Sequence, residues 1–182
     1  MRRNILDKDY PELGELRTEI YLVDGAPSLL TAMSEKSRNY TYDTLLDMGV
    51  HVKLGAFVTD FVDDEVIFSD GEKIPARTLI WAAGVTGSRI RGVPEHPYGP
   101  GNRIRVDEYN RVVGMEGIAV IGDASLMTDD PQFPQGHPQL AQVAIQQGEL
   151  LAENLKAMLK GGALRPFRYK DKGAMAIIGK RK

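Results

Sequence analysis

Short apolar runs that stop at an acid or a glycine recur along this chain. They restrict it to folds in which buried strands deliver polar residues to one end of a sheet. Residues 19–24 (EIYLVD) read as a buried parallel strand closed by Asp24. Ser34 opens SEKSRNYTYDTLLDMGV, where Tyr42, Leu45, Leu46 and Gly49 suit a helix ending at a glycine, and residues 50–54 (VHVKL) read as the next strand. Strand, helix and strand make a βαβ unit. Residues 56–74 alternate as short antiparallel strands with turns at Asp63-Asp64 and Asp70-Gly71. Residues 78–83 (TLIWAA) are another all-apolar strand, ending at Gly84.

Three prolines and three glycines at residues 92–102 mark a linker. Beyond it, residues 104–106 and 112–113 predict a short hairpin, and residues 118–121 (IAVI) a central buried strand running into Gly122-Asp123-Ala124. After a loop over 128–138 comes the longest helix, 139–160, with Leu140, Ala144, Gln147, Leu151, Leu155 and Met158 on one face. It stops at Gly161-Gly162, and residues 174–178 return to a strand.

Length and composition narrow the chemistry. The 182 residues, 42% apolar and 26% charged, suit one ordinary globular domain or pieces of two. A net charge of −2 gives no whole-surface attraction to nucleic acid. With no cysteine, disulfides, thiolate zinc, cysteine-ligated iron–sulfur clusters and CxxC redox centres are excluded, so any redox chemistry must use a bound organic cofactor. The longest apolar runs fall far short of the roughly 20 residues of a membrane-spanning helix. The start, MRRNILDKDYPEL, lacks the apolar stretch of a secretory signal, and the expected location is cytoplasmic.

Four places could carry chemistry. Asp24, ending a strand of a βαβ unit, can accept both ribose hydroxyls of an adenine dinucleotide, or simply cap a turn with Gly25 and Pro27. Gly84, after Trp81-Ala82-Ala83, could let a nicotinamide or pyrophosphate approach the backbone, or could end a packed strand. Gly122 and Asp123 close an apolar run, where the acid could take ribityl hydroxyls or act as a helix N-cap. Gln142 and Gln146 stand one helical turn apart near a helix start that favours anionic charge, where their amides could donate to flavin or quinone carbonyls, or face solvent. His51, His96 and His137 have no metal-site spacing.

EIYLVDGAPSLL, TLIWAAGV, VDEYNRVVGMEGIAVIGDAS and PQLAQVAIQQGELLAENL, in this order, resemble the FAD-dependent pyridine nucleotide oxidoreductases, and most closely their type II NADH dehydrogenase (NADH:quinone oxidoreductase) branch. AQVAIQQG is similar to the AQxAxQxG segment of the quinone-reducing enzymes. The resemblance implies an α/β chain with partial Rossmann-like dinucleotide-binding folds. Residues 1–92 would be the latter part of an NADH domain, 93–102 a linker, 103–172 the returning part of an FAD domain, and 173–182 the start of a C-terminal region. It further implies that Asp24 and Gly84 hold NADH and that Gly122, Asp123, Ala141 and Gln142 hold FAD, with Gln142 and Gln146 bordering a quinone pocket.

Neither glycine-rich phosphate loop of that family stands in the 182 residues, so the chain resembles an internal fragment. The parent would be peripheral on the cytoplasmic face of the membrane, meeting it through a missing C-terminal region. The fragment, expected to be inactive and colourless alone, would bind no nucleic acid. It would dimerise or rearrange at two apolar edges, residues 19–24 and 78–83, left unpaired by a missing central strand. A related reductase with a protein acceptor, or a non-catalytic nucleotide-fold binding module, remain the alternatives.

Overall fold

A strand, a helix and a second strand open the computed structural model, which describes residues 19–179. β1 (Ile20–Asp24) lies parallel to β2 (Val50–Leu54), with Ile20 opposite Val50 and Asp24 opposite Leu54. Between them runs α1 (Glu35–Asp47), started by Ser34, whose Oγ accepts the Ser37 N–H at 3.3 Å, and followed by Gly49 at φ +77°. The βαβ expectation holds. The helix face does not, because Thr41 and Thr44 are its buried residues whereas Tyr42 and Leu46 are exposed. The two described strands cover only a narrow stripe of the helix, and Thr41 fits it by donating its hydroxyl to the Ser37 carbonyl at 2.7 Å.

β3 (Val58–Val62), β4 (Glu65–Phe68) and β5 (Lys73–Pro75) form an antiparallel meander. Asp63 and Asp64 both have positive φ, the mirror-image turn that a two-residue hairpin demands, and Gly71 serves the second turn at φ +87°. Val66 and Phe68 supply its buried side chains.

Residues 78–83 form no strand. No described strand lies beside them to take their hydrogen bonds, and Ile80 is 83% exposed. Residues 174–178 likewise form none, with Met175 84% exposed.

The chain divides into two compact units, residues 19–83 with 174–179, and Gly84–Gly173. The sequence-based boundary at 92–102 therefore falls inside the second unit. Pro97 is fully buried there, and its carbonyl accepts the Arg105 N–H at 2.6 Å, so the proline-rich stretch is packed structure rather than linker.

In this second unit β6 (Ile104–Val106) runs parallel to β7 (Ser125–Met127), and Val106 also bridges Val112 across the turn at Asn110. Ile104, Val106, Val112, Met127, Val143, Phe167 and Tyr169 make the core. The buried strand is Ser125–Met127, not residues 118–121. Gly114, Gly117 and Gly122, all at positive φ, bend the chain on either side of IAVI. Ile118 and Ile121 stay exposed, and one antiparallel bridge at Ala119 is its only strand pairing among the described residues.

α2 (Ala141–Leu159) buries Val143, Gln147 and Asn154. The predicted stripe is rotated, leaving Leu140, Leu155 and Met158 exposed. Of the predicted face Gln147 is buried, its Oε1 accepting the Gly122 N–H while its Nε2 lacks a partner among the described residues. Asn154, paired in both directions with the Arg165 backbone, is the buried amide that hydropathy misses.

Candidate functional site

β1 carries Asp24 to the carboxyl end of the parallel pair. Its Oδ1 accepts the Ala26 N–H at 2.9 Å and its carbonyl accepts the Ala56 N–H at 3.2 Å. The side chain is half-buried, and among the described residues Oδ2 has no partner. The turn-capping role thus uses one carboxylate oxygen and leaves the other available as an acceptor.

The remaining predicted residues lie in the second unit. Gly84 has φ +97° and no neighbour where a Cβ would stand, so backbone conformation rather than close packing calls for glycine there. Gly122 differs. At φ +68° it lies so near α2 that a Cβ would come 3.2 Å from that of Ala144. Its N–H donates to Gln147 Oε1 at 2.7 Å, and Ser125 Oγ donates to the Gly122 carbonyl at 3.0 Å.

Asp123 follows on a single 3-10 turn (Gly122–Ala124), with its carbonyl accepting from Gln139 Nε2 at 3.1 Å and its side chain exposed. Arg103 donates to the carbonyls of Ser125 and His137, both at 2.9 Å. Burial lowers its guanidinium pKa, and the Asp123 carboxylate opposes that shift.

Ala141 and Gln142 begin α2, whose first turn has no side-chain cap. Its first N–H groups stand at the positive end of the helix dipole, and α2 packs against the 122–124 turn, with Gln139 just ahead of the helix donating to the Asp123 carbonyl. An exposed carboxylate next to an uncapped helix start suits a ligand offering hydroxyl donors and carbonyl acceptors together, which a flavin's ribityl chain and ring do. The donor set fits the group that the sequence implies.

The glutamine side chains have partners that the sequence did not indicate. Gln142 Nε2 donates to the Gly173 carbonyl at 3.2 Å while its Oε1 accepts the Lys172 N–H at 3.2 Å. Gln146 clasps Lys170 the same way, at 3.0 and 3.1 Å. Asn154 does so at Arg165, at 2.9 Å in both directions. These three amides fasten residues 165–173 along the helix, leaving one N–H on each glutamine for a ligand.

Sequence reasoning also missed a buried pair. His137 Nε2 and Asp130 Oδ2 lie 3.0 Å apart, both nearly solvent-free, and the same carboxylate oxygen accepts the Tyr169 N–H at 3.2 Å. Burial alone would raise the Asp130 carboxyl pKa. The hydrogen bonds from His137, Gln132 and Tyr169 outweigh it and hold the group below the ordinary value. A histidine and an acid seven residues apart in a loop carry no distinctive sequence signal.

A strand-terminal acid in a βαβ unit, and a glycine–aspartate turn abutting an uncapped helix, define an α/β fold of the dinucleotide-binding class. Comparison with known proteins agrees. The chain belongs to the pyridine nucleotide-disulphide oxidoreductase family, which it matches over residues 11–148. It is 34% identical over 170 residues to the type II NADH:quinone oxidoreductase of Staphylococcus aureus, a match covering 90% of this chain and 41% of that protein. The chain therefore spans less than half the length of such relatives. Among solved structures, NDH2 from Plasmodium falciparum in complex with NADH superposes with TM-score 0.80 at 16% identity, covering 97% of this chain and 51% of that one. A ferredoxin reductase from Rhodopseudomonas palustris gives TM-score 0.59 at 20% identity, covering 82% and 37%.

Proposed function

We propose that these 182 residues are an internal part of an FAD-dependent NADH:quinone oxidoreductase. The first unit supplies the ribose-binding wall of the NADH site and the second supplies one wall of the FAD site. Residues 173–182 begin the region through which the whole enzyme meets the cytoplasmic face of the membrane. Among the described residues no helix is long and apolar enough to cross a membrane. The observation that carries the reading is that the exposed Asp123 is tied through its carbonyl to Gln139, just ahead of the uncapped start of α2.

When bound, FAD supplies acceptance of hydride and onward transfer of two electrons. The chain's own residues bind and orient. Asp24 accepts ribose hydroxyls and Gly84 leaves its backbone open to the dinucleotide. Asp123 accepts ribityl hydroxyls, and the first-turn N–H groups of Ala141 and Gln142 donate to the ring. Gln142 and Gln146 border the quinone side with their remaining N–H donors. None of these residues is assigned a proton-transfer step. The carboxylate of Asp24 also disfavours the extra 2′-phosphate of NADPH.

The acceptor is tested on the whole enzyme carrying this chain. Its flavin, bleached anaerobically with NADH, is expected to recover colour on addition of a soluble quinone. Recovery only with ferredoxin would assign the chain to a protein-reducing branch instead.

A further inference from the structure

We propose that Phe57 is the adenine platform of the dinucleotide site at the carboxyl end of β1. This rests on the reading of Asp24 as the ribose-binding acid and adds the residue that would hold the base. Phe57 is 61% exposed, unusual for a phenylalanine, yet its place is fixed from several sides. The peptide leading to it crosses the end of β1, where Gly55 N–H donates to the Ala26 carbonyl at 3.0 Å and Ala56 N–H to the Asp24 carbonyl at 3.2 Å. Ser69 N–H anchors the Phe57 carbonyl at 2.9 Å.

The ring lies over Gly25, the residue next to the acid. A Cβ at Gly25 would come within 2.5 Å of a ring carbon, so only a residue without a side chain lets the ring lie there. One part of the ring is supported by Gly25 and most of the remainder faces water.

A base is joined to the ribose whose hydroxyls Asp24 would accept, so it must lie within one sugar's length of that carboxylate. An open aromatic face at that distance offers stacking, which tolerates any base and needs no hydrogen bond. Of the other exposed aromatic groups of this unit, Tyr40 and Tyr42 lie within α1 and Phe61 within β3, away from the 24–26 turn in the chain. Tyr21 and His51 stack on each other at 4.7 Å along the strands rather than at their ends, and Trp81 has no hydrogen-bonded link to the 24–26 turn.

The test is titration of the whole enzyme carrying this chain with AMP, NADH and nicotinamide mononucleotide, followed by calorimetry and by the Phe57 ring-proton resonances. AMP and NADH are expected to bind and to shift those resonances upfield, and nicotinamide mononucleotide to leave them unmoved. Phe57→Ala is expected to weaken AMP and NADH about tenfold, the alanine-substitution scale of base stacking. Phe57→Trp should restore binding. Exposure of the ring predicts an unchanged thermal transition in both variants, checked by circular dichroism. If Asp24→Asn weakens NADH while Phe57→Ala does not, the platform is wrong and the ribose reading stands. If neither variant changes binding, or the wild-type whole enzyme binds none of the three at millimolar concentration, both are wrong.

Discussion

Asp130→Ala is expected to destabilise the second unit by about 1–3 kcal/mol, the cost of leaving buried hydrogen-bonding groups without their partner. His137 is enclosed by Phe133, Phe167 and Tyr169 and would lose its Nε2 partner, while the Tyr169 N–H would lose its acceptor. Its Nδ1 already lacks a partner among the described residues, so the variant leaves the ring without any hydrogen bond. Denaturant midpoints measure the loss. The sign of the pH dependence follows from the depressed Asp130 carboxyl. Its stabilisation is complete above the unfolded value, about pH 4, and disappears as pH falls through the lower folded value. Asp130→Asn, which keeps the shape, should lose that acid-side slope. An identical slope in wild type and variant would show that Asp130 contributes none of it.

Gly122→Val is expected to cost about 3 kcal/mol, combining about 1–2 for a left-handed backbone with about 1–3 for overpacking against Ala144. The Cβ would approach that of Ala144 to 3.2 Å. Valine would also push the turn away from α2, breaking the Gly122 N–H to Gln147 bond. Since Asp123 is the next residue, the whole enzyme should retain less flavin after gel filtration. Gly122→Ala should fall between, with the same backbone penalty and less bulk. Wild-type stability in Gly122→Val would mean that the turn does not press on the helix.

What the sequence disclosed and what it hid divide along a physical line. Ser34, Gly49 and the VHVKL run are local signals, acting within a few residues, and they placed the βαβ unit and Asp24 correctly. The Asp63-Asp64 and Asp70-Gly71 turns were legible for the same reason. Residues 78–83 and 118–121 are as apolar as real strands, but a strand exists only with a neighbour, and apolarity does not announce one. Asn154 hid because hydropathy reads amides as surface, whereas here backbone partners make burial favourable. The glutamine pair is legible from its one-turn spacing near a helix start, but its clasp on residues 170–173 is a contact between segments distant in sequence and carries no local signal. Phe57 escaped notice because an aromatic residue beginning a strand reads as core, and only its exposure over Gly25 distinguishes it.

The central claim is that β1 ends in an acid that holds the ribose of NADH. Calorimetric titration of wild type and Asp24→Ser with NADH and with NADPH tests it most directly. Wild type should bind NADH more tightly than NADPH, and the variant should lose affinity for NADH and with it that preference. Equal binding of both nucleotides by wild type, unchanged in the variant, would contradict it.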